Sequence, residues 1–415
     1  MNKTNIEEIS GGITAVQGFK ASGIHIGVKS HDPNKKDVGI ITTEVADGYS
    51  CKAAGCYTQN KYAAAPVVWC KKITEKGQAQ AIIVNSGNAN ACTGHKGLED
   101  AKKMAELTAD ALQLKTEQVL VCSTGVIGVT LPMDKMAAGI KLAAEKLSPT
   151  GGHAAAEAIM TTDTFAKEIA IKVQMGDYSI QIGGMAKGSG MIHPNMATML
   201  GFISTDINIS SEALQEALSL AVTKSFNMVT VDGDTSTNDT VLVLANGLAG
   251  NPQLQTDSGL FPGFCQALQY VCLYLAKMLA KDGEGATKLL QVTVKNACSW
   301  QEAAKAAKAV VSSSLVKAAF FGEDANWGRI ICALGYSGAQ FDPDLVDIVL
   351  KSAAGQEPVM AKGCGLDFSE EKAAAVLAED EIEILIDLHD GTAEATAWGC
   401  DLSYKYVEIN GCYRT

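Results

Sequence analysis

Apolar and polar residues follow two different periods along this chain, and the two periods alternate from one end to the other. Residues 81–84 form a continuously apolar run, as in a buried strand, and residues 98–112 carry apolar side chains at helical spacing. Strands and helices that alternate in this way predict an α/β (α+β) fold. The other predicted strands are 119–122, 198–204, 229–231, 240–245, 289–294, 381–388 and 394–409, and the other predicted helices are 132–147, 210–224, 264–281 and 302–316.

A glycine-rich stretch follows a predicted β-hairpin. Residues 168–174 and 178–182 alternate apolar with polar side chains on either side of Gly176-Asp177, which indicates a hairpin. Glycines then occupy positions 183, 184, 188 and 190, before Thr198 opens the next apolar run. Glycine adopts backbone conformations that other residues reach only at a cost. The pattern therefore predicts a long loop that ends at Thr198.

Thr198 suits self-cleavage chemistry in this position. Attack of its hydroxyl on the carbonyl of Ala197 would cut the chain and leave Thr198 as a new N-terminus. Its α-amine, with a pKa of about 7.7–8.0 against about 10.4 for lysine, would then serve as its own general base. The alternative is that Thr198 is simply the β-branched first residue of a strand. If the cut occurs, fragments 1–197 and 198–415 are expected to stay together, because the strands on both sides of it are apolar.

Net charge, apolar runs and cysteine spacing exclude several classes of protein. The net charge is −12 without any block of basic residues, which argues against nucleic acid as a partner. The N-terminal residues lack an apolar signal region, and no run reaches the about 20 apolar residues that span a bilayer. The twelve cysteines are scattered and form no CxxC pair, so we expect free thiols and no zinc site. These features predict a cytoplasmic protein that does not bind membranes.

Thr124-Gly125 belongs to the Ser123-Thr124-Gly125 turn predicted at the end of strand 119–122. Backbone N–H groups in a turn at this point could converge on a developing oxyanion, where each donor is typically worth about 10²–10³ in rate. An ordinary turn between a strand and a loop explains the same residues.

Lys187 and Glu284 are candidate binding residues for a zwitterionic ligand. Lys187 is a point cation that suits a carboxylate, and Glu284, between two glycines, suits an ammonium group. Thr161 could hydrogen-bond the ligand. Alternatively, Lys187 is a solvated loop charge, Glu284 lies in a turn that ends a helix, and Thr161 caps a helix. A phosphate loop is excluded because Lys187 precedes the last glycine.

Two further motifs lack residues that their usual functions require. The stretch 232–240 is rich in Asp, Asn and Thr, but it lacks the glycine and the glutamate of an EF-hand, so a metal site is not expected. His193 precedes Pro194 near the predicted cut, and no Ser or Cys elbow accompanies it, which disfavours a conventional catalytic triad.

These segments, in this order, resemble the glutamate N-acetyltransferases (ornithine acetyltransferases) of arginine biosynthesis, over nearly the whole chain to Tyr413-Arg414-Thr415. The resemblance implies layered sheets packed with helices in an autoprocessed enzyme of the N-terminal-nucleophile type. It implies cleavage between Ala197 and Thr198, with Thr198 as nucleophile and Thr124 and Gly125 as the oxyanion hole. The substrate-binding residues that it implies are Thr161 (or its neighbour Thr162), Lys187, Thr198, Glu284, Asn410 and Thr415.

The activity that the resemblance implies is acetyl transfer from N²-acetyl-L-ornithine to L-glutamate through an acetyl-threonine intermediate. No metal or organic cofactor is required, and the two fragments are expected to assemble as an α₂β₂ heterotetramer. Use of acetyl-CoA as a second donor stays open. Two alternatives also stay open: a related self-cleaving aminopeptidase or amidase, in which water replaces glutamate, and a non-catalytic amino-acid-binding protein with an uncut chain.

Overall fold

The computed structural model describes residues 6–193 and 199–412. Within these residues the strands are β1 (Ile6–Ile9), β2 (Phe19–Ile24), β3 (Val38–Thr43), β4 (Lys52–Tyr57), β5 (Ala81–Asn88), β6 (Val119–Val126), β7 (Lys167–Met175), β8 (Tyr178–Lys187), β9 (Leu200–Thr205), β10 (Thr240–Ala245), β11 (Leu289–Ala297), β12 (Asp347–Ser352), β13 (Gly355–Ala361), β14 (Cys364–Gly365), β15 (Glu381–Asp387) and β16 (Ala393–Cys400). The helices are α1 (Ala65–Thr74), α2 (Gly94–Leu112), α3 (Met133–Glu145), α4 (Gly152–Ile159), α5 (Ser211–Thr223), α6 (Phe261–Lys281), α7 (Trp300–Ser312), α8 (Ser314–Phe321), α9 (Trp327–Gly335), α10 (Glu370–Leu377) and α11 (Tyr404–Cys412).

Three sheets organise these elements. The N-terminal sheet has the strand order β2-β3-β5-β6, the central sheet β1-β7-β8-β9-β10-β4, and the C-terminal sheet β14-β13-β12-β15-β11-β16. Each sheet contains one parallel pair, namely β5–β6, β9–β10 and β11–β15, among antiparallel neighbours. Mixed sheets of this kind are common in α+β proteins.

Helices separate and cover the sheets. Helices α2 and α3 lie on the outer face of the N-terminal sheet, while α1 and α4 lie between that sheet and the central one. Helices α5 and α6 cover the other face of the central sheet, and α6 also packs on β16 of the C-terminal sheet. The α/β prediction and the layered arrangement of sheets and helices are confirmed.

The apolar run at 81–84 shows how the pattern produces these layers. Ile82 and Val84 point into the core between the N-terminal and central sheets, whereas Ile83 points into the core beneath α2 and α3. Successive side chains of a strand point to opposite faces, so a strand that is covered on both faces must be apolar at every position.

The predicted strand 394–409 is wrong in its second half. Strand β16 ends at Cys400, and residues 404–412 form helix α11. Asp401 turns the chain out of the sheet, because its carboxylate accepts hydrogen bonds from the N–H groups of Thr287 (2.8 Å) and Lys288 (3.0 Å). This difference affects the predicted site, because α11 carries Asn410.

Two smaller predictions also differ from the structure. Residues 229–231 form no regular strand, and Val229 makes only an isolated bridge to Trp398. The predicted helix 302–316 is divided at Ser313, whose side chain accepts a hydrogen bond from Val316 N and so caps a new helix. In the described part of the chain, no helix combines the length and the apolar character needed to cross a membrane.

Candidate active site

A cavity of about 120 Å³ lies where loops from all three sheets converge on helix α11. It brings together every predicted site residue whose position the structure describes. These residues are Thr124, Gly125, Thr161, Lys187, Glu284 and Asn410. Ala197, Thr198 and Thr415 lie outside the described residues.

Thr124 and Gly125 border the cavity from the end of β6. The predicted turn is wrong here, because both residues still pair with β5, at an irregularity between Gly87 and Asn88. Gly125 has a φ of +127°, and a side chain at this position would collide with the backbone of Gly87 and Asn88. The close approach of the two strands therefore requires glycine at position 125.

Asn238 fixes the backbone beside this pair. Its buried amide Nδ2 donates to the carbonyl oxygens of Ser123 (2.8 Å) and Ala89 (2.6 Å). The hydroxyl of Thr237 donates to Asn238 Oδ1 at 2.6 Å, which holds the amide in this orientation. The polar loop 232–240 thus braces the end of β6 from the side.

Lys187 is the last residue of β8, and its side chain is buried against the cavity. Its ammonium group donates to Thr161 Oγ1 at 3.2 Å. Burial lowers the pKa of Lys187, and the carboxylate of Asp163 opposes part of that shift. An ammonium group carries three donors, so a buried cation of this kind is suited to binding a carboxylate.

The predicted glycine loop begins later than expected. Residues 183–187 continue β8, where they pair with both β7 and β9. A side chain on Gly183 would collide with the carbonyl oxygen of Gly12, so glycine serves close packing at this position.

Glu284 lies in the loop after α6. Its N–H donates to Ser189 O at 2.8 Å, and its carboxylate accepts a hydrogen bond from Asn410 Nδ2 at 2.7 Å. The exposed fraction of Glu284 is 8%. The cavity therefore has a cation at Lys187 and an anion at Glu284, a pairing that complements a zwitterionic amino acid.

Thr161 and Thr162 both line the cavity but contact different groups. Thr161 accepts the hydrogen bond from Lys187, whereas the Thr162 hydroxyl lies 2.6 Å from that of Ser189. Because Thr161 contacts Lys187 directly, Thr161 is a better candidate than Thr162 to bind the same ligand as Lys187.

Asp232 anchors the chain just before the predicted cleavage site. Its carboxylate accepts hydrogen bonds from Met191 N (2.5 Å) and Ile192 N (2.9 Å), and from the Tyr406 hydroxyl (3.2 Å). Burial, with the nearby Asp232 carboxylate, raises the pKa of Tyr406, so its phenol stays protonated and can donate. Sequence reasoning missed this role, although Asp232 opens the polar loop that it singled out.

His193 is not arranged as a general base. Burial, with the Lys308 ammonium, lowers its pKa to about 4, and its Nδ1 lies 3.1 Å from the Thr230 hydroxyl. Throughout 6–193 and 199–412, no three His, Cys, Asp or Glu side chains are grouped as metal ligands.

Comparison with known proteins identifies the family of this chain. The sequence model of the ArgJ family matches residues 20–415. The "Arginine biosynthesis bifunctional protein ArgJ" of Symbiobacterium thermophilum is 56% identical over 410 residues, 99% of this chain and 100% of the relative. The protein of the same name from Caldanaerobacter subterraneus is 52% identical over 410 residues, with the same coverage of 99% and 100%.

A solved structure is similar as well. The crystal structure of the arginine biosynthesis bifunctional protein ArgJ from Bacillus halodurans matches with a TM-score of 0.50 and 48% identity. The match covers 52% of this chain and 100% of the solved chain. The resemblance found in the sequence is confirmed by the family match and by these relatives: this chain belongs to the ArgJ family.

Proposed function

We propose that this protein is an acetyltransferase of arginine biosynthesis that moves the acetyl group of N²-acetyl-L-ornithine to L-glutamate. The observation that carries the proposal is the convergence of Thr124-Gly125, Lys187 and Glu284 on one small cavity. An oxyanion site, a cation and an anion that line the same cavity match the groups of an N-acetylated amino acid.

Self-cleavage between Ala197 and Thr198 supplies the nucleophile in this proposal. Leu200, two residues after Thr198 in the sequence, pairs with Lys187, and Met199 O accepts a hydrogen bond from Thr240 N (3.0 Å). The described residues on both sides of the bond therefore belong to the wall of the cavity or adjoin it. The Bacillus halodurans chain, which spans 52% of this one over its full length, has about the length that such a cut would leave.

The two fragments, 1–197 and 198–415, are proposed to form one globular unit. Strand β8 of the first fragment pairs with β9 of the second, and β4 of the first pairs with β10 of the second. Because the central sheet contains strands from both fragments, cutting the chain between β8 and β9 leaves its hydrogen bonds intact.

The reaction proceeds in two transfers. The α-amine of Thr198 takes the proton of its own hydroxyl, which attacks the acetyl carbonyl, and Thr124 and Gly125 stabilise the oxyanion. The tetrahedral intermediate collapses, ornithine leaves with the proton from that amine, and an acetyl-threonine ester remains. The neutral amine of glutamate attacks this ester and passes a proton to the α-amine. The ester C–O bond to Thr198 then breaks, the Thr198 oxygen takes that proton back as a hydroxyl, and N-acetylglutamate leaves. A covalent intermediate predicts ping-pong kinetics.

Each substrate-binding residue has a distinct part in this scheme. Lys187, with Thr161, binds the α-carboxylate that both substrates share, and Glu284, held by Asn410, binds an ammonium group. Thr415 is proposed to complete the site from the C-terminus.

The test is an assay with acetylornithine in the presence and absence of glutamate. The proposal expects N-acetylglutamate and stoichiometric ornithine, and little ornithine when glutamate is omitted. Ornithine release that ignores glutamate would instead identify a self-cleaving hydrolase. Replacing acetylornithine with acetyl-CoA in the same assay decides whether that compound is a second donor.

The assembly and location are part of the proposal. The protein is expected to form an α₂β₂ heterotetramer in the cytoplasm. Light scattering combined with a denaturing gel tests the assembly: four chains of two sizes support it, and one chain of 43.4 kDa contradicts it.

A further inference from the structure

A cluster of buried ion pairs lies behind the cavity wall, outside the residues that line it. This cluster, called the Asp163 cluster, consists of Asp163, Lys167 and Asp282. Lys167 Nζ lies 2.7 Å from Asp163 Oδ1 and 2.5 Å from Asp282 Oδ2. The three side chains are at most 3% exposed.

The Asp163 cluster joins three segments that each carry a proposed substrate-binding residue. Asp163 accepts hydrogen bonds from Thr161 N (2.9 Å) and Gly188 N (2.7 Å), the residue after Lys187. Asp282 accepts hydrogen bonds from the N–H (3.0 Å) and the hydroxyl of Thr164, and it precedes Glu284 by two residues. Thr161, Lys187 and Glu284 are therefore tied together through their backbones.

The cluster also balances charge. Asp163 is affected by the ammonium groups of both Lys167 and Lys187, and against the opposing effect of burial they lower its pKa to about 2. Burial lowers the pKa of Lys187, and Asp163 is the largest influence that acts in the opposite direction. Asp239 and Glu284 also raise the pKa of Lys187, and Lys167 lowers it. Lys29 is a further charged neighbour, since the charge of Lys187 lowers the pKa of Lys29.

Stability alone gives a poor reason for such a cluster. Replacing buried ion pairs by apolar residues of similar volume is often neutral or stabilising, because desolvation offsets the Coulomb attraction. The carboxylates of this Asp-Lys-Asp cluster also accept hydrogen bonds from backbone N–H groups of the site. A role in positioning the site therefore explains the cluster better.

We propose that Asp163, Lys167 and Asp282 are positioning residues for substrate binding, which fix the spacing of Thr161, Lys187 and Glu284 and supply the counter-charge of the Lys187 ammonium group. The inference rests on the proposed function, since it assumes that Lys187 binds the α-carboxylate of both substrates. It assigns no contact between the cluster and the substrate itself.

The test variant is Asp163→Asn, which keeps the shape of the side chain and removes its charge. The KM for acetylornithine and for glutamate is expected to rise about tenfold or more, while kcat at saturation stays within about threefold. The Kd of ornithine, measured by calorimetry, should rise by the same factor. A merely structural role would lower thermal stability and leave KM and Kd unchanged in the folded protein.

The matched control is Asp206→Asn. Asp206 is also buried and accepts Gln181 N at 2.8 Å, but it follows β9 at the end of the strand away from Lys187. Asp206→Asn should change Tm and leave the Kd of ornithine as in the wild type.

Two further variants keep the inference testable if Asp163→Asn does not fold. The triple variant Asp163→Asn, Lys167→Met, Asp282→Asn removes all three charges of the cluster and leaves no carboxylate of it unpaired, so it should fold and still bind ornithine weakly. Thr164→Val keeps every charge of the cluster, removes one hydroxyl donor to Asp282 and should raise Kd about threefold. Wild-type Kd values in the folded variants would overturn the inference.

Failure of the inference differs from failure of the proposed function. A wild-type protein that binds ornithine but transfers no acetyl group contradicts the function and leaves the binding test intact. A wild-type protein with full transfer, together with unchanged Kd and KM in Asp163→Asn, overturns the inference alone.

Discussion

Thr124 and Gly125 on one side of the cavity, and Lys187 on the other, are held in place by different kinds of interaction. The first pair is fixed by strand pairing with β5 and by the neutral amide of Asn238. The backbone beside Lys187 is instead held by the buried Asp163 cluster, because Asp163 accepts a hydrogen bond from Gly188 N.

The difference has a consequence for catalysis. Donors that stabilise an oxyanion must be fixed in position before charge develops, and strand pairing with neutral hydrogen bonds achieves that without a net charge. A carboxylate-binding cation must stay charged although it is buried, which requires nearby anions. We therefore expect substitutions that change the shape of the site beside Thr124 and Gly125 to reduce kcat. Substitutions that remove charge at or near Lys187 should instead raise KM.

The largest effect is expected from Thr198→Ala, which removes the nucleophile common to both sides. Cleavage should be absent and acetyl transfer should fall by about 10⁴-fold or more. Intact-mass measurement and the transfer assay check both results. Thr205→Ala, at the far end of β9, is the control and should remain cleaved and active. Cleavage or transfer that persists without the Thr198 hydroxyl would remove the basis of the mechanism.

Gly125→Ala tests the shape-dependent side. The added methyl group would collide with the backbone of Gly87 and displace the oxyanion donors, so kcat should fall about 10²–10³-fold. Gly128→Ala is a matched control, because Gly128 also has positive φ (+80°) but has open space around its Cα. Steady-state kinetics should show nearly normal kcat for the control. Equal losses in both variants would mean that backbone strain, and not the close contact, explains the effect.

Lys187→Met tests the charge-dependent side. Both substrates should bind about 10–100-fold more weakly, as expected when a buried carboxylate loses its cation. Lys187→Arg is the comparison that retains a charge. Because burial lowers the pKa of Lys187, its charge is lost as the pH rises and the wild-type KM for glutamate should rise with pH, whereas the arginine variant should show no such rise. A KM that is independent of pH in both proteins would argue against carboxylate binding by Lys187.

The smallest effect is expected from Asn238→Ala. Loss of its amide leaves the carbonyl groups of Ser123 and Ala89 without this donor, which should cost about 1–3 kcal/mol of stability and about tenfold in kcat. Asn251→Ala is the control, since Asn251 Nδ2 also donates to two backbone carbonyls, those of Asn208 and Pro252. Thermal unfolding should give similar losses for the two variants, and only Asn238→Ala should lower kcat. Unchanged kcat in Asn238→Ala would limit its role to stability.

Local pattern was sufficient for much of the fold and for the candidate chemistry. The runs at 81–84 and 241–245 are apolar throughout because both faces of their strands are covered. Ser210 caps α5 by accepting a hydrogen bond from Ala213 N. The residues quoted for the family resemblance are those that line the cavity, as far as the structure describes them. Their grouping depends on chain topology, which no local pattern contains.

What the sequence analysis missed depends on contacts between distant segments. Asp401 ends β16 by binding the N–H groups of Thr287 and Lys288, more than a hundred residues earlier in the chain. The Asp163 cluster did leave a signal, because Lys167 has the same strand parity as Ile169 and Ile171, whose side chains point inward. A lysine on the apolar face of a strand requires a buried carboxylate partner.

The most direct test of the account is N-terminal sequencing of the purified protein, combined with its intact mass. We expect two chains, one of which begins at Thr198. A single chain of 43.4 kDa, or a second chain that begins at any other residue, would contradict it.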